Sequence, residues 1–126
     1  MNFLLSRCVA VGAGGFVGTI SRYLIGYYFG RFNFRFPLAT LLINVTGSMF
    51  LGWFLTFIGG KNVSDTVRLA IAVGFVGGYT TFSTYMYDCF KLTDDGAFLL
   101  AVLNLIGSLL LGLVGVYLGV LLARSL

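Results

Sequence analysis

The run Gly74-Phe75-Val76-Gly77-Gly78-Tyr79-Thr80-Thr81-Phe82-Ser83-Thr84-Tyr85 lies inside an apolar segment, Leu69 to Tyr87, that contains no charged residue. A membrane-crossing helix at that depth is ordinarily built from Leu, Val and Ile. This stretch offers glycines, aliphatic hydroxyls and aromatic rings instead. Adjacent Gly77 and Gly78 each give up about 1 kcal/mol of helix propensity relative to Ala. Backbone that leaves helical pairing is tolerated at membrane depth only where protein buries it or a watery cavity meets it. The stretch therefore reads as a helix interrupted at mid-membrane, with carbonyls free to bind something. Close packing of helices through small residues, common in membranes, is the competing reading.

Composition points the same way. Of 126 residues, 59% are hydrophobic and 10% charged, against the roughly 25% charge of a soluble domain. The net charge of +4 is spread along the chain rather than gathered into a patch, which argues against a nucleic-acid partner. There is no His, and Cys8 and Cys89 stand far apart in apolar surroundings. They read as small buried hydrophobes rather than a disulfide or a metal site. The apolar run after Arg7 reads as a first span and not as a removed signal peptide.

A hydrocarbon core about 30 Å thick takes about 20 apolar residues of helix. Cys8–Phe29, Pro37–Ile58, Val67–Phe90 and Ala97–Ala123 meet that requirement. The fold expected is an all-α membrane protein, one domain over residues 1–126 with spans at about 8–29, 37–58, 67–90 and 97–123. Pro37 suits a first helical turn, and Ser64 or Asp65 suits the cap of the third span.

Loop charges set orientation. With these spans, Arg7, Lys61, Arg68 and Arg124 fall on one side of the membrane; Arg31, Arg35 and Lys91, with Arg22 if counted at its nearer end, fall on the other. That near balance gives almost no instruction. It is compatible with a chain that inserts both ways up and pairs antiparallel with itself, and equally with an ordinary small protein of weak bias.

Each span carries a distinctive face. Gly14, Gly18, Arg22 and Gly26 recur every four residues in the first, one stripe of a helix. The glycines suit close backbone approach. Arg22 is a charge inside a span, which faces an interior, a pathway or an interface, or snorkels; an anion vestibule is one role for it. Thr40, Asn44, Gly47 and Ser48 share a face of the second span. The Asn44 amide offers two donors to an anion or an interhelical hydrogen bond. Asn104, Ser108 and Gly112 follow one another at four-residue spacing in the fourth. Such stripes make either a packed polar core or a narrow hydrated track. Donors without cations suit a small, strongly hydrated anion that must still leave. Nothing resembles an enzyme site, and the acids Asp65, Asp88, Asp94 and Asp95 lie at or near span ends.

These residues carry a resemblance. The run from Gly74 to Tyr85 resembles the third-span signature of the Fluc/CrcB fluoride channels, Gly-Phe-x-Gly-Gly-x-Thr-Thr-Phe-Ser-Thr-Phe. Gly18-x-x-x-Arg22, Thr40-x-x-x-Asn44-x-x-Gly47 and Asn104-x-x-x-Ser108 are similar to that family's patterns, and the likeness covers the whole chain. It implies a dual-topology homodimer of antiparallel subunits in the bacterial inner membrane. Two fluoride pores at the subunit interface would export F− passively and lower its cytoplasmic toxicity. A structural Na+ at the centre would be held by the backbone carbonyls of Gly77 and Thr80, a hard-cation site without carboxylates. Asn44 would be the pore amide, and Phe82 and position 85 the pore-lining aromatic pair. Thr40, Ser83, Asn104 and Ser108 would be polar groups along the track, with Arg22 at a vestibule. A ring edge is electropositive, so it can touch fluoride without holding it as a cation would. Tyr85 departs from the usual Phe and adds a phenol that binds the anion, finds another partner or slows conduction.

A dual-topology exporter of cationic drugs is the alternative. Such proteins ordinarily need a membrane-embedded carboxylate, and this chain has no Glu while Asp88 sits near a span end. A purely structural membrane subunit is the third reading.

Overall fold

In hydrocarbon every backbone N–H and C=O needs a partner within the protein, which favours helices. The computed structural model describes residues 2–126, which are all-helical with no strand among them. The elements are α1 (Phe3–Gly30), α2 (Leu38–Phe57), α3 (Asp65–Leu69), a π-helical turn (Ala70–Phe75), α4 (Val76–Tyr79), α5 (Phe82–Asp94) and α6 (Phe98–Arg124). Among the described residues, α1, α2 and α6 are each long and apolar enough to cross a membrane. The remaining expected span is a composite of shorter helical pieces over residues 65–94, none of which reaches that length alone.

The ends of the helices follow their sequences. α1 starts before the apolar run that begins at Cys8, because the Asn2 side chain accepts from the Leu4 N–H at 3.3 Å and caps it. Ser64 caps α3 through the Val67 N–H at 3.4 Å. Pro37 immediately precedes α2. Gly96, at φ +72°, closes the α5–α6 turn, with the Ala97 N–H on the Leu92 carbonyl at 2.8 Å and the Gly96 N–H on Thr93 at 3.0 Å. A residue with a side chain resists that left-handed turn.

Glycines decide the packing. A Cβ at Gly14 or Gly18 would overlap the Ala70 or Phe75 carbonyl, and one at Gly78 would lie 2.6 Å from the Gly15 carbonyl. α1 thus runs backbone to backbone along the π-helical turn and α4. The pairings Gly14–Ala70, Gly18–Phe75 and Thr19–Gly78 climb together, so the two run in the same direction. α2 and α6 are parallel likewise, with a Cβ at Gly115 falling 2.9 Å from the Val45 carbonyl and one at Gly119 meeting the Met49 carbonyl. Against α2 the composite segment runs the opposite way. Thr40 meets Asp88, Asn44 meets Thr81, Thr46 meets Tyr79 and Phe50 meets Phe75. Gly14, Gly18, Gly74 and Gly78 therefore serve close packing, whereas a Cβ at Gly26 or Gly77 would meet nothing within 4 Å.

Between α2 and the composite segment stands a column of rings. Phe50 meets Phe75 edge-on at 5.7 Å, and Phe75 stacks on Tyr79 at 5.8 Å. Tyr79, which sequence left without a role, ends the column with its hydroxyl 2.9 Å from Thr46 Oγ1. At the opposite end of the segment, Arg7 bridges to Asp65 at 2.7 Å. Neither cysteine forms a disulfide: Cys89 is half-buried, whereas Cys8 is exposed and not the buried hydrophobe expected. Most of the outer surface is apolar, with Phe16, Leu109 and Leu113 each about 70% exposed, as hydrocarbon or a further apolar surface requires.

The glycine seam predicts a contrast. Gly18→Val should cost about 3 kcal/mol through overpacking, read as a lower midpoint of unfolding in mixed micelles. Gly12→Ala, whose Cβ meets nothing within 4 Å, should keep the native midpoint; equal midpoints for the two variants would contradict the seam.

Candidate functional site

The helical course of the composite segment stops at Tyr79. Thr80 (φ −80°, ψ 159°) and Thr81 (φ −152°, ψ 116°) are extended, and α5 begins at Phe82. Such a step removes backbone partners that a continuous helix would supply. The Asn44 side chain on α2 replaces two of them. Its Nδ2 donates to the Thr81 carbonyl at 3.0 Å, and its Oδ1 accepts from the Thr81 N–H at 2.8 Å. The amide works here as one more peptide unit laid beside the chain. One face of the segment is completed from α1, where Arg22 Nε donates to the Gly78 carbonyl at 3.0 Å. Thr81 Oγ1 then caps α5 through the Thr84 N–H at 3.3 Å, and Thr80 Oγ1 folds back onto the Val76 carbonyl at 2.9 Å. Among the described residues no turn, cap or loop hydrogen bond ends on the carbonyl of Gly77 or Thr80.

Beside this step lies an open groove of about 620 Å³. Asn44, Thr80, Phe82, Tyr85 and Ser108 line it together with Ser48, Thr81 and aliphatic residues of α6, and no lining residue is charged. Phe82 is 74% exposed. Its ring and that of Tyr85 sit edge to face at 6.0 Å and 69°. The Tyr85 hydroxyl is turned to another partner, donating to the Leu105 carbonyl of α6.

The other residues singled out in the sequence stand elsewhere. Asn104 is fully buried between α5 and α6. Its Nδ2 donates to Cys89 Sγ at 3.2 Å, and its Oδ1 accepts from Ser108 Oγ at 3.0 Å. The hydroxyl proton of Ser108 is thus spent inside the α5–α6 seam. Thr40 donates to Asp88 Oδ2 at 2.7 Å and lines a second cavity of about 300 Å³ with Asp88, Asn33 and Pro37. Ser83 is exposed and lines neither cavity, and Arg22 contacts the segment from the α1 side, away from the groove. Thr81, Asp88 and Cys89 were not singled out by sequence reasoning. A Ser or Thr just before a new helix was a usable signal for Thr81; nothing local marked the others. Among the described residues no cluster of His, Cys, Asp or Glu could hold a metal ion, so any cation here depends on backbone and amide oxygens.

Three membrane-length helices, two of which, α2 and α6, flank a clamped, uncharged groove, define a multi-pass helical membrane protein. The profile of the CrcB-like proteins, described as Camphor Resistance (CrcB), matches residues 9–120. A fluoride-specific ion channel FluC of Prosthecochloris aestuarii is 45% identical over 125 residues, covering 98% of each chain. Those of Chlorobium chlorochromatii and Geobacter sulfurreducens are 40% identical over 94% of this chain and 38% identical over 97% of it, covering 93% and 100% of their own lengths. The chain belongs to the CrcB-like family of membrane proteins, whose relatives are named as ion channels and not as enzymes.

The clamp predicts its own cost. Asn44→Ala strands the Thr81 N–H and C=O and should lower stability by about 2–4 kcal/mol. Asn44→Asp keeps the acceptor but sets a carboxylate against the Thr81 carbonyl, so it should not restore the loss. Thermal unfolding in detergent reads both, and an undisturbed midpoint for Asn44→Ala would contradict the clamp.

Proposed function

We propose that this protein is a fluoride-selective channel that lets F− leave the cell passively, down its gradient. The observation that carries the reading is the uncharged groove at the interrupted segment, where an amide, hydroxyls and two aromatic rings converge. The names of the relatives support the identity of the ion. Fluoride holds its water tightly, so a path must offer enough polarity to replace that water and too little to trap the ion. A cationic side chain would bind too well. Ring edges and single N–H donors are weak enough to let go.

The second N–H of the Asn44 amide, beyond the one engaged by Thr81, is the donor the groove offers. Phe82 lines the path with its ring, and Thr40, Ser83, Asn104 and Ser108 are assigned to its flanks or its supporting seam. Arg22 is assigned to a vestibule, and its bond to Gly78 also braces the interruption. In the assembled protein two copies insert in opposite orientations in the bacterial inner membrane, and the exposed Phe82 faces the other copy. Two pores would then run along the interface, each drawing residues from both chains. An open, lipid-level groove in a single chain is a reason to expect such closure.

The free carbonyls of Gly77 and Thr80 suit a Na+ at the centre. Two copies would supply oxygens alone, which is the chemistry a hard cation takes. Bound there, Na+ would offset the carbonyl dipoles and hold the two interruptions together. A Cβ at Gly77 meets nothing within 4 Å in one chain, so that glycine is not needed for packing within the subunit.

Liposomes loaded with fluoride should empty when this protein is present and hold chloride under the same gradient; equal efflux of both anions would refute the reading. Gly77→Val should fold as a subunit yet lose any rise in dimer melting temperature that Na+ gives the native protein over K+. An undiminished Na+ effect would remove Gly77 from the cation site.

A further inference from the structure

The structure offers a role for the hydroxyl of Tyr85, at the one position where the signature departs from its usual residue. α5 is 13 residues long, begins at the interruption and packs only against α6 and α2 among the described elements. The extended step at Thr80–Thr81 separates it from the helix before it, so its rotation about its own axis must be fixed by what it touches. Tyr85, Cys89 and Leu92 fall at i, i+4 and i+7, one face of the helix. That face meets α6 in three ways. Leu92 packs on Ala97 and Ala101. Cys89 Sγ accepts from Asn104. The Tyr85 hydroxyl donates to the Leu105 carbonyl. The tyrosine bond is the only one of the three made by a residue that lines the groove.

A phenol has one proton to give. With that proton on a main-chain carbonyl, the hydroxyl is not a donor to an anion, and its buried oxygen, on a residue 8% exposed, stays satisfied. What it controls is the ring. The Phe82 ring, one turn earlier, leans on the Tyr85 ring edge to face, so fixing one ring fixes the pair.

We propose that the Tyr85 hydroxyl is a positioning group and not a fluoride ligand: its bond to the Leu105 carbonyl holds the groove end of α5 against α6, and with it the Tyr85 ring on which Phe82 leans. The inference rests on the channel reading above. It makes the phenol a built-in brace, replacing a freedom that Phe would leave at that site.

The test compares fluoride and chloride efflux from liposomes for the native protein, for Tyr85→Phe, and for 4-aminophenylalanine at position 85, whose N–H can replace the phenol donor. Tyr85→Phe should run about fivefold slower for fluoride and lose selectivity over chloride, while the amino analogue returns to within about twofold of native. A ligand role predicts slower flux with an unchanged thermal unfolding midpoint in detergent, since no bond to α6 would be lost, and that pattern overturns the proposal. So does an unchanged Tyr85→Phe, or an amino analogue no better than Phe. Native liposomes in the same preparation separate the two failures. If they release no fluoride, the channel reading falls and this inference with it; if they conduct while the hydroxyl proves irrelevant, only this inference falls.

Discussion

The pairing of the Asn44 amide with both backbone groups of Thr81 is the interaction on which the rest of the structure depends. A chain inside a bilayer cannot leave an extended residue without partners. One side chain, from a different helix, supplies the donor and the acceptor that α4 and α5 would have shared had they been continuous. Arg22 meets the next exposed carbonyl, that of Gly78. The interruption is thus braced from α1 and from α2 together, and it is a fixed feature of the fold rather than a frayed end. Among the described residues no turn, cap or loop hydrogen bond ends on the carbonyls of Gly77, Tyr79 and Thr80.

Such bracing demands that helices approach closely. The Gly14–Gly18 stripe lets α1 lie against the carbonyls of the π-helical turn, and π turns of this kind recur where a helix carries function. Gly47 lets the Thr80 methyl group and the Tyr79 ring sit on α2. Small residues here serve packing and, through packing, the site. The two readings of the opening stretch, close packing and purposeful interruption, describe neighbouring halves of one segment. Residues 65–79 pack on α1, and residues 80–85 open the groove.

Much of this was legible in the sequence, for reasons that can be named. Apolar runs of the right length located α1, α2 and α6, because hydrophobic length is a property of the local chain. The glycines of the opening stretch suggested an interruption but not its place: Gly77 and Gly78 are helical, and the extended step falls at Thr80–Thr81. Of the residues that the resemblance put along one track, Asn44, Phe82, Tyr85 and Ser108 line the groove and Thr40, Ser83 and Asn104 do not, while Thr80, expected at a cation site, lines it too. The pairings across spans were not legible. Thr40 with Asp88, Asn104 with Cys89 and Arg22 with Gly78 join residues whose meeting depends on how helices rotate and slide against one another. Four-residue spacing placed Asn104 on a polar stripe with Ser108 and Gly112 but could not say that Asn104 is buried against α5 while the other two line the groove. Nor could it tell that Ser83 does not line the groove beside which it lies.

The groove's neutrality links the fold to the proposed conduction. On the proposed reading a small anion would meet aromatic rings and an amide N–H, with no fixed cation to hold it and no carboxylate among the lining residues to repel it. The most direct measurement is the reversal potential of single channels in a planar bilayer, with opposed gradients of fluoride and chloride across it. A current that reverses at the fluoride equilibrium potential is the expected result. Reversal that follows chloride or protons, or the absence of unitary fluoride currents from well-folded protein, would contradict it.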